Sequence, residues 1–283
     1  MAKVTTIMET IRPALTNIIS ESPSRNSLFK RNLLKEYLQV VVLDFIYSHP
    51  VYSRLIFYGG SALAHCFDLQ RLSEDLDFVD ESKKISPAKL AMDIEDHFTK
   101  RTDLKVKTTV QKFRIYLKFP ILRDLGISTR EETDILFLKI EVYTEFDFCK
   151  GYATDIRPIF KHNRSVLIKT LDMPTLMATK IRAILYRKWE KTDKQGRTTV
   201  KGKGRDYFDL LWYLQKGVQP NLSCIEGFES MKDLKEKLLS IIAGIDSRSI
   251  RLDLDALIAD PNFVNNIGRN MKAILEREIS EKL

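Results

Sequence analysis

The stretch FYGGSALAHCFDLQRLSEDLDFVD, residues 57–80, sets an apolar run against two glycines and returns with Asp75 and Asp77 on either side of one leucine. A short apolar run stopped by glycines, LIFYGG over 55–60, reads as a buried strand. SALAHCFDL, 61–69, can form a helix directly after it, and EDLDFV, 74–79, a second strand. Residues i and i+2 of a strand share a face, so Asp75 and Asp77 present both carboxylates side by side while Leu76 turns into the core. Two such acids repel unless something positive lies between them. Hard oxygen donors on one face suit Mg²⁺, which takes one or two carboxylates and completes its shell with substrate phosphates. The small residues Gly59, Gly60 and Ser61 stand where a strand gives way to a helix, so backbone N–H groups and the helix N-terminus can approach phosphate closely. Together these parts describe a metal–nucleotide site.

A third carboxylate is expected on a neighbouring strand. DILFLKIEVYTEF, 134–146, is a β-like apolar run with Glu141 as a lone interior acid, and burying an acid is unfavourable unless it is paired or binds metal. Glu145 and Asp147 lie nearer the strand's end and rank below it. Three carboxylates could hold two metals about 3.5–4 Å apart across an in-line phosphoryl displacement. Asp253-Leu254-Asp255 repeats the spacing, but has neither a glycine turn before it nor an apolar strand around it, and reads as a solvated helix start.

Outward from this centre the chain divides in texture. The first fifty residues read as a helical arm, with SLFKRNLLKEYLQVVVLDFIYSHP over 27–50 its clearest part. SPAKLAMDIEDHFTK, 86–100, opens with an N-cap serine and a first-turn proline. LKVKTTVQKFRIYLKFP, 104–120, alternates in β fashion, and a further strand is expected over 164–169. After Met173-Pro174, helical patterns dominate: TLMATKIRAILYRKW over 175–189, DYFDLLWYLQK over 206–216, then several helices around Pro220 and Pro261. The predicted fold class is α+β, a mixed sheet with flanking helices in 1–170 and a mostly helical part in 171–283. The stretch 187–205 has loop composition, with Gly196, Gly202 and Gly204. It carries Arg187, Lys188, Lys191, Lys194, Arg197, Lys201, Lys203 and Arg205 against only Glu190 and Asp193. Such a cationic segment suits a phosphate backbone.

Bulk composition sets limits. The 283 residues are 44% hydrophobic and 30% charged, which excludes long disorder and collagen-like chains. The 46 Lys plus Arg exceed 38 Asp plus Glu by eight, so a polyanionic partner is favoured. No stretch approaches the roughly 20 apolar residues of a membrane span, and MAKVTTIMETIRPALTN lacks the apolar segment of a signal peptide. Cys66, Cys149 and Cys224 are odd in number and far apart, which argues against a disulfide framework and for a reduced, cytoplasmic protein. Four histidines at scattered positions give no zinc-ligand spacing.

GGSAL followed by RLSEDLDF resembles the first motif of the AbiEii-type nucleotidyltransferases, toxins of two-gene toxin–antitoxin systems within the DNA polymerase β-like superfamily. The resemblance extends to Lys180 in ATKIRAIL and to Arg205-Asp206-Tyr207-Phe208-Asp209-Leu210, so that its motifs run over residues 33–215. It implies a nucleotidyltransferase fold whose helical C-terminal part completes the active site. It further implies that Gly59, Gly60, Ser61 and Ser73 hold nucleotide phosphates and that Asp75, Asp77 and Glu141 bind Mg²⁺, with two ions expected. Lys180 would meet the triphosphate as a point charge, and Asp206 would orient Lys180 or the acceptor. Ser61 stands where threonine is usual, and Glu141 where aspartate is common. Some family members add nucleotides to the 3′ end of tRNA and block aminoacylation; the resemblance implies that acceptor, an NTP substrate and a separate antitoxin.

Other acceptors remain open at this stage: a protein side-chain hydroxyl, or a small molecule such as an aminoglycoside. So does a module that only binds RNA or nucleotide, although a pure binder has no need of complete carboxylates together with Lys180. Trp189 and Trp212 are expected to pack in the interior.

Overall fold

The computed structural model describes residues 8–22, 26–128, 134–144, 146, 149, 151–187, 190–192, 198–201 and 203–283. Chain contacts cluster into two units. The first comprises 1–67, 72–145 and 156–170; the second comprises 68–71, 146–155 and 171–283. The chain therefore passes into the second unit twice before residue 171, at two short segments.

In the first unit, α1 (Arg12–Glu21) and α2 (Ser27–Ser48) precede β1 (Ile56–Tyr58), α3 (Gly59–Cys66), β2 (Asp75–Val79) and α4 (Pro87–Arg101). Then come β3 (Lys107–Gln111), β4 (Arg114–Pro120), β5 (Ile135–Tyr143), β6 (Thr154–Lys161) and β7 (Arg164–Leu171). The strands form one mixed sheet in the order β3-β4-β5-β2-β1-β7-β6. The patterned stretch 104–120 is two strands, folded back at Lys112, whose φ of 56° supplies the turn. β6 gave little signal because its residues are mostly exposed, Phe160 at 75% among them. It reaches β7 through His162-Asn163, both left-handed at φ 50° and 57°, as a type I′ hairpin turn requires.

One sheet face is apolar. Leu76, Phe78, Ile115, Leu117 and Ile140 join Leu38, Val42 and Ile46 of α2 and Leu90, Ile94 and Phe98 of α4 in a single buried cluster. Each such side chain stabilises by about 1.5–3 kcal/mol on burial. Because side chains alternate along a strand, this apolar face commits Asp75, Asp77, Lys139 and Glu141 to the opposite one.

The second unit holds α5 (Met173–Tyr186), β8 (Glu190–Thr192), β9 (Thr198–Lys201), α6 (Gly204–Gln215), α7 (Met231–Ile242), α8 (Ser247–Leu254) and α9 (Pro261–Lys282). The stretch read as a loop contains an antiparallel pair, β8 with β9. Pro261 separates α8 from α9, opening α9 behind the capping Asp260. α6 approaches α8 so closely that a Cβ on Gly204 would lie 2.7 Å from the Ile250 Cα. One cysteine expectation needs correction, because Cys149 and Cys224 form a disulfide across 75 residues of sequence. Sequence distance was a poor guide, since the 146–155 segment folds with the second unit. Cys66 is free, and burial pushes its thiol up to about 12. Among the described residues no helix is long and apolar enough to cross a membrane.

Glu36 of α2 fastens the β6–β7 hairpin through Lys161 at 2.5 Å and His162 at 3.2 Å. Burial acts to raise the Glu36 carboxyl, but these two partners outweigh it and bring it from 4.5 to about 2. A depressed carboxyl stabilises above its ordinary value and loses that contribution as pH falls through the folded one. Glu36→Gln should therefore lower stability at pH 7 by about 1–3 kcal/mol. The gap to wild type should close between pH 4.5 and about 2, followed by urea unfolding across that range.

Candidate active site

β1 delivers the chain into α3 through Gly59, whose φ is +81°. A Cβ there would meet the Asp77 Oδ2 at 2.6 Å, so the absence of a side chain is what lets the second carboxylate lie against the turn. Tyr58, the N-cap, gives no side-chain cap to the helix that begins at Gly59. Behind the turn, Ser61 is fully buried; its hydroxyl is bonded to the Ser73 hydroxyl at 3.0 Å and to the Asp75 carbonyl. Gln39 donates to the Ser73 carbonyl at 3.0 Å and pairs with His65 Nε2 at 2.9 Å. Burial holds His65 down at about 4, so it stays neutral and donates from Nε2 to the Gln39 amide oxygen. The side chains of Ser61 and Ser73, expected on phosphates, are thus engaged in bracing the turn against β2.

The strand register lays out the polar face. Asp75 lies beside Lys139, and Asp77 beside Glu141, on the parallel neighbours β2 and β5. Across β5, Tyr116 faces Lys139 and Arg114 faces Glu141. Lys139 Nζ is 3.0 Å from Asp75 Oδ2 and 3.1 Å from Glu141 Oε1. Arg114 Nε donates to Glu141 Oε1 at 2.7 Å, and the Tyr143 hydroxyl to Oε2 at 2.8 Å. Burial acts to raise the Glu141 carboxyl; Tyr143, Lys139 and Arg114 more than offset it and hold it below the usual range. For Lys139, burial acts downward, and Asp75 with Glu141 overcomes it and raises the ammonium.

The donor set fits a divalent cation in part. Asp75 and Asp77 give two hard oxygen donors on one face beside an uncapped helix start. Glu141, expected as a third ligand, has both oxygens taken by Arg114, Lys139 and Tyr143. Among the described residues, no group of three or more His, Cys, Asp or Glu is placed to hold a metal. Lys139 stands between two of the expected ligands. The other acids named near that strand, Glu145 and Asp147, lie outside the described residues.

In the second unit, charge gathers on α5 and α6. Lys180 Nζ lies 2.9 Å from Asp206 Oδ1 and 2.6 Å from Asp209 Oδ2. Arg71, brought in by segment 68–71, grips Asp209 with Nε and Nη2, each at 2.6 Å. Asp209 and the Arg71 side chain are 0% and 1% exposed. Burial acts to raise Asp206, and Lys180 outweighs it, so the carboxyl stays low. The N-cap position of α6 belongs to Lys203, which makes no side-chain cap bond. Asp253-Leu254-Asp255, expected as a solvated helix start, closes α8, and Asp253 accepts the Arg205 backbone N–H at 2.9 Å at the start of α6. Burial, then Arg205 and Arg187, lowers the Lys203 ammonium, so these three cations share one neighbourhood. Lys188, Lys194 and Arg197 lie outside the described residues, as do the side chains of Lys191 and Lys201.

Sequence reasoning missed Lys139, Arg71 and Asp209 as site residues. Each had a signal: Lys139 shares a strand face with Glu141, and Asp209 sits one helical turn from Asp206. Arg71 had only its place in RLSEDLDF.

A mixed sheet bearing paired aspartates beside a strand–glycine–helix turn defines a nucleotidyltransferase-type site. Residues 44–279 match the family described as nucleotidyl transferase AbiEii toxin, type IV toxin–antitoxin system, and the chain belongs to that family. It is a nucleotidyltransferase, and its family implies a cognate antitoxin. No curated protein matches the chain. Among solved structures it is similar to a candidate nucleotidyltransferase from Helicobacter pylori, with 16% identity, 89% of this chain and 97% of that one covered, and a TM-score of 0.46. It is also similar to JHP933 from Helicobacter pylori, with 17% identity, 89% and 94% covered, and a TM-score of 0.44.

Two substitutions probe these arrangements. Gly59→Ala combines left-handed strain of about 1–3 kcal/mol with a collision against Asp77. It should reduce nucleotidyl transfer by about 100-fold while circular dichroism still reports a folded chain. Arg71→Met leaves the buried Asp209 with Lys180 as its remaining cation and should cost about 3 kcal/mol in urea unfolding. Adding Asp209→Leu should recover part of that loss, because the buried charge goes with it.

Proposed function

We propose that this protein transfers a nucleoside monophosphate from an NTP to the 3′-terminal hydroxyl of tRNA, blocking translation in the cytoplasm until its antitoxin restrains it. The observation that carries the reading is the contact of Asp77 with the Gly59 turn, which joins a carboxylate pair to a helix start suited to phosphate. Asp75 and Asp77 would hold Mg²⁺, and Gly59, Gly60 and Ser61 would offer backbone N–H groups to the triphosphate. Bound there, Mg²⁺ would neutralise charge on the phosphates and lower the pKa of the attacking hydroxyl. The acceptor oxygen bonds to the α-phosphorus, the bridging bond to the β-phosphate breaks, and pyrophosphate leaves with its electron pair. The hydroxyl proton passes to solvent or a nearby base. Glu141 fixes Lys139 and Arg114 in the arrangement described; a second ion on Glu141 would require both to move. The resemblance gives Lys180, which Asp206 and Asp209 hold, the role of a point charge for the triphosphate. The cations of 187–205 support a polyanionic acceptor.

The test incubates the purified chain with each α-³²P-labelled NTP, Mg²⁺ and total tRNA, alongside Asp75→Ala. Label should appear on tRNA, disappear with a chelator, and fall to background in the variant. Label on protein would replace the acceptor while keeping the chemistry. Absence of label from every acceptor would overturn the reading.

A further inference from the structure

In the first unit, a cleft of about 420 Å³ opens on the polar sheet face beside Asp75. Lys35 of α2, Tyr116 and Lys118 of β4, and Phe137 and Lys139 of β5 line it. Three ammonium groups thus surround one carboxylate. Lys139 is committed to Asp75 and Glu141, whereas among the described residues no carboxylate pairs with Lys35 or Lys118. Unneutralised cations in a concave, polar site attract a polyanion. Phe137 supplies the second half of the argument. Its neighbours Leu136 and Leu138 are 1% and 0% exposed in the core, while Phe137 stands 44% exposed among lysines. The Tyr116 ring, directly across from Lys139, adds another apolar surface. Cations alternating with exposed rings are what a single-stranded nucleic acid requires, since its phosphates need charge and its unstacked bases need a ring to lie on. A cleft of this volume, in the range of small-ligand pockets, takes a chain end and not a duplex.

Position separates acceptor from donor. β2 lies between β1 and β5 in the sheet. The Gly59 turn leaves β1 and meets Asp77 on one side, while the cleft is built by β4 and β5 on the other. Phosphoryl transfer places attacking and leaving oxygens roughly in line on opposite sides of the phosphorus. A triphosphate at the Gly59 turn therefore leaves the cleft to the attacking hydroxyl. We infer that this cleft seats the single-stranded 3′ end of the acceptor RNA, with Lys35 and Lys118 on its phosphates and Phe137 and Tyr116 against its bases. This rests on the nucleotidyl-transfer reading of Asp75 and Asp77 given above.

The experiment uses the full chain, an eight-nucleotide fluorescein-labelled RNA and anisotropy over a salt series, with NTP binding followed by equilibrium dialysis. Lys35→Glu/Lys118→Glu should weaken RNA binding at least about ten-fold and flatten the log–log salt slope by about 1.4, two single-strand phosphate contacts. Phe137→Ala should weaken it about 5- to 100-fold with the salt slope unchanged, and NTP affinity should stay put in both. Lys35→Gln/Lys118→Gln, checked by thermal melting, covers any folding defect of the charge reversal. RNA affinity unchanged in these variants, while wild type still labels tRNA, overturns the cleft alone. Loss of NTP affinity instead makes it the donor site and equally overturns the inference. Wild type that transfers label only to protein overturns the RNA acceptor and the cleft together.

Discussion

Asp75 and Asp77 lie about 6.6 Å apart along one strand face, and at an effective dielectric near 20 their repulsion is about 2.5 kcal/mol. Lys139, in register with Asp75 and 3.0 Å from it, is the chain's own answer to that repulsion. Its contact with Asp75 opposes the repulsion with a gross attraction of about 5 kcal/mol on the same scale, reduced in practice because both groups are part-exposed. Glu141 then holds Lys139 from the other side, and Arg114 and Tyr143 satisfy what remains of Glu141. The polar face is one electrostatic unit in which no acid stands alone. That is why an acid expected to face a metal is found facing cations.

The second unit solves a harder version of the same problem. Asp209 is fully buried, so water cannot screen it, and an unpaired charge there would cost several kcal/mol. Arg71 answers with a two-toothed grip and Lys180 with a third contact, leaving Lys180 to share its remaining charge with Asp206. The geometry of the guanidinium fork suits a carboxylate better than an ammonium would. The short segment 68–71 folds with this unit, and its Arg71 is what this buried pair requires.

Periodicity made the sheet core and the helices readable. Leu76 between two aspartates, or Leu136 and Leu138 around Phe137, announces which face is buried because the strand period is two. The AbiEii resemblance likewise rested on motifs legible in the sequence, and the family match covers those from Gly59 to Leu210. Contacts between distant segments left no such trace. Nothing in the spacing of Cys149 and Cys224 tells that 75 residues of chain return to the same place. Lys161 and His162, at the end of β6 and in the turn after it, give no signal of their partner, yet they hold Glu36, an acid that anchors their hairpin.

The two Asp-x-Asp pairs of this chain explain why a motif has meaning only with its backbone. In β2 the spacing of two puts Asp75 and Asp77 on one face, where they must be balanced together. At the end of α8, with Asp255 the C-cap still in helical conformation, the same spacing turns the acids through about 200°, so Asp253 and Asp255 point in different directions. Asp253 is then free to accept the Arg205 N–H and cap α6, whose own N-cap residue offers no acceptor. A pair that cannot share a face cannot share a cation. The local period, read from the apolar residues between and around the acids, therefore decides which pair shares a face and which does not.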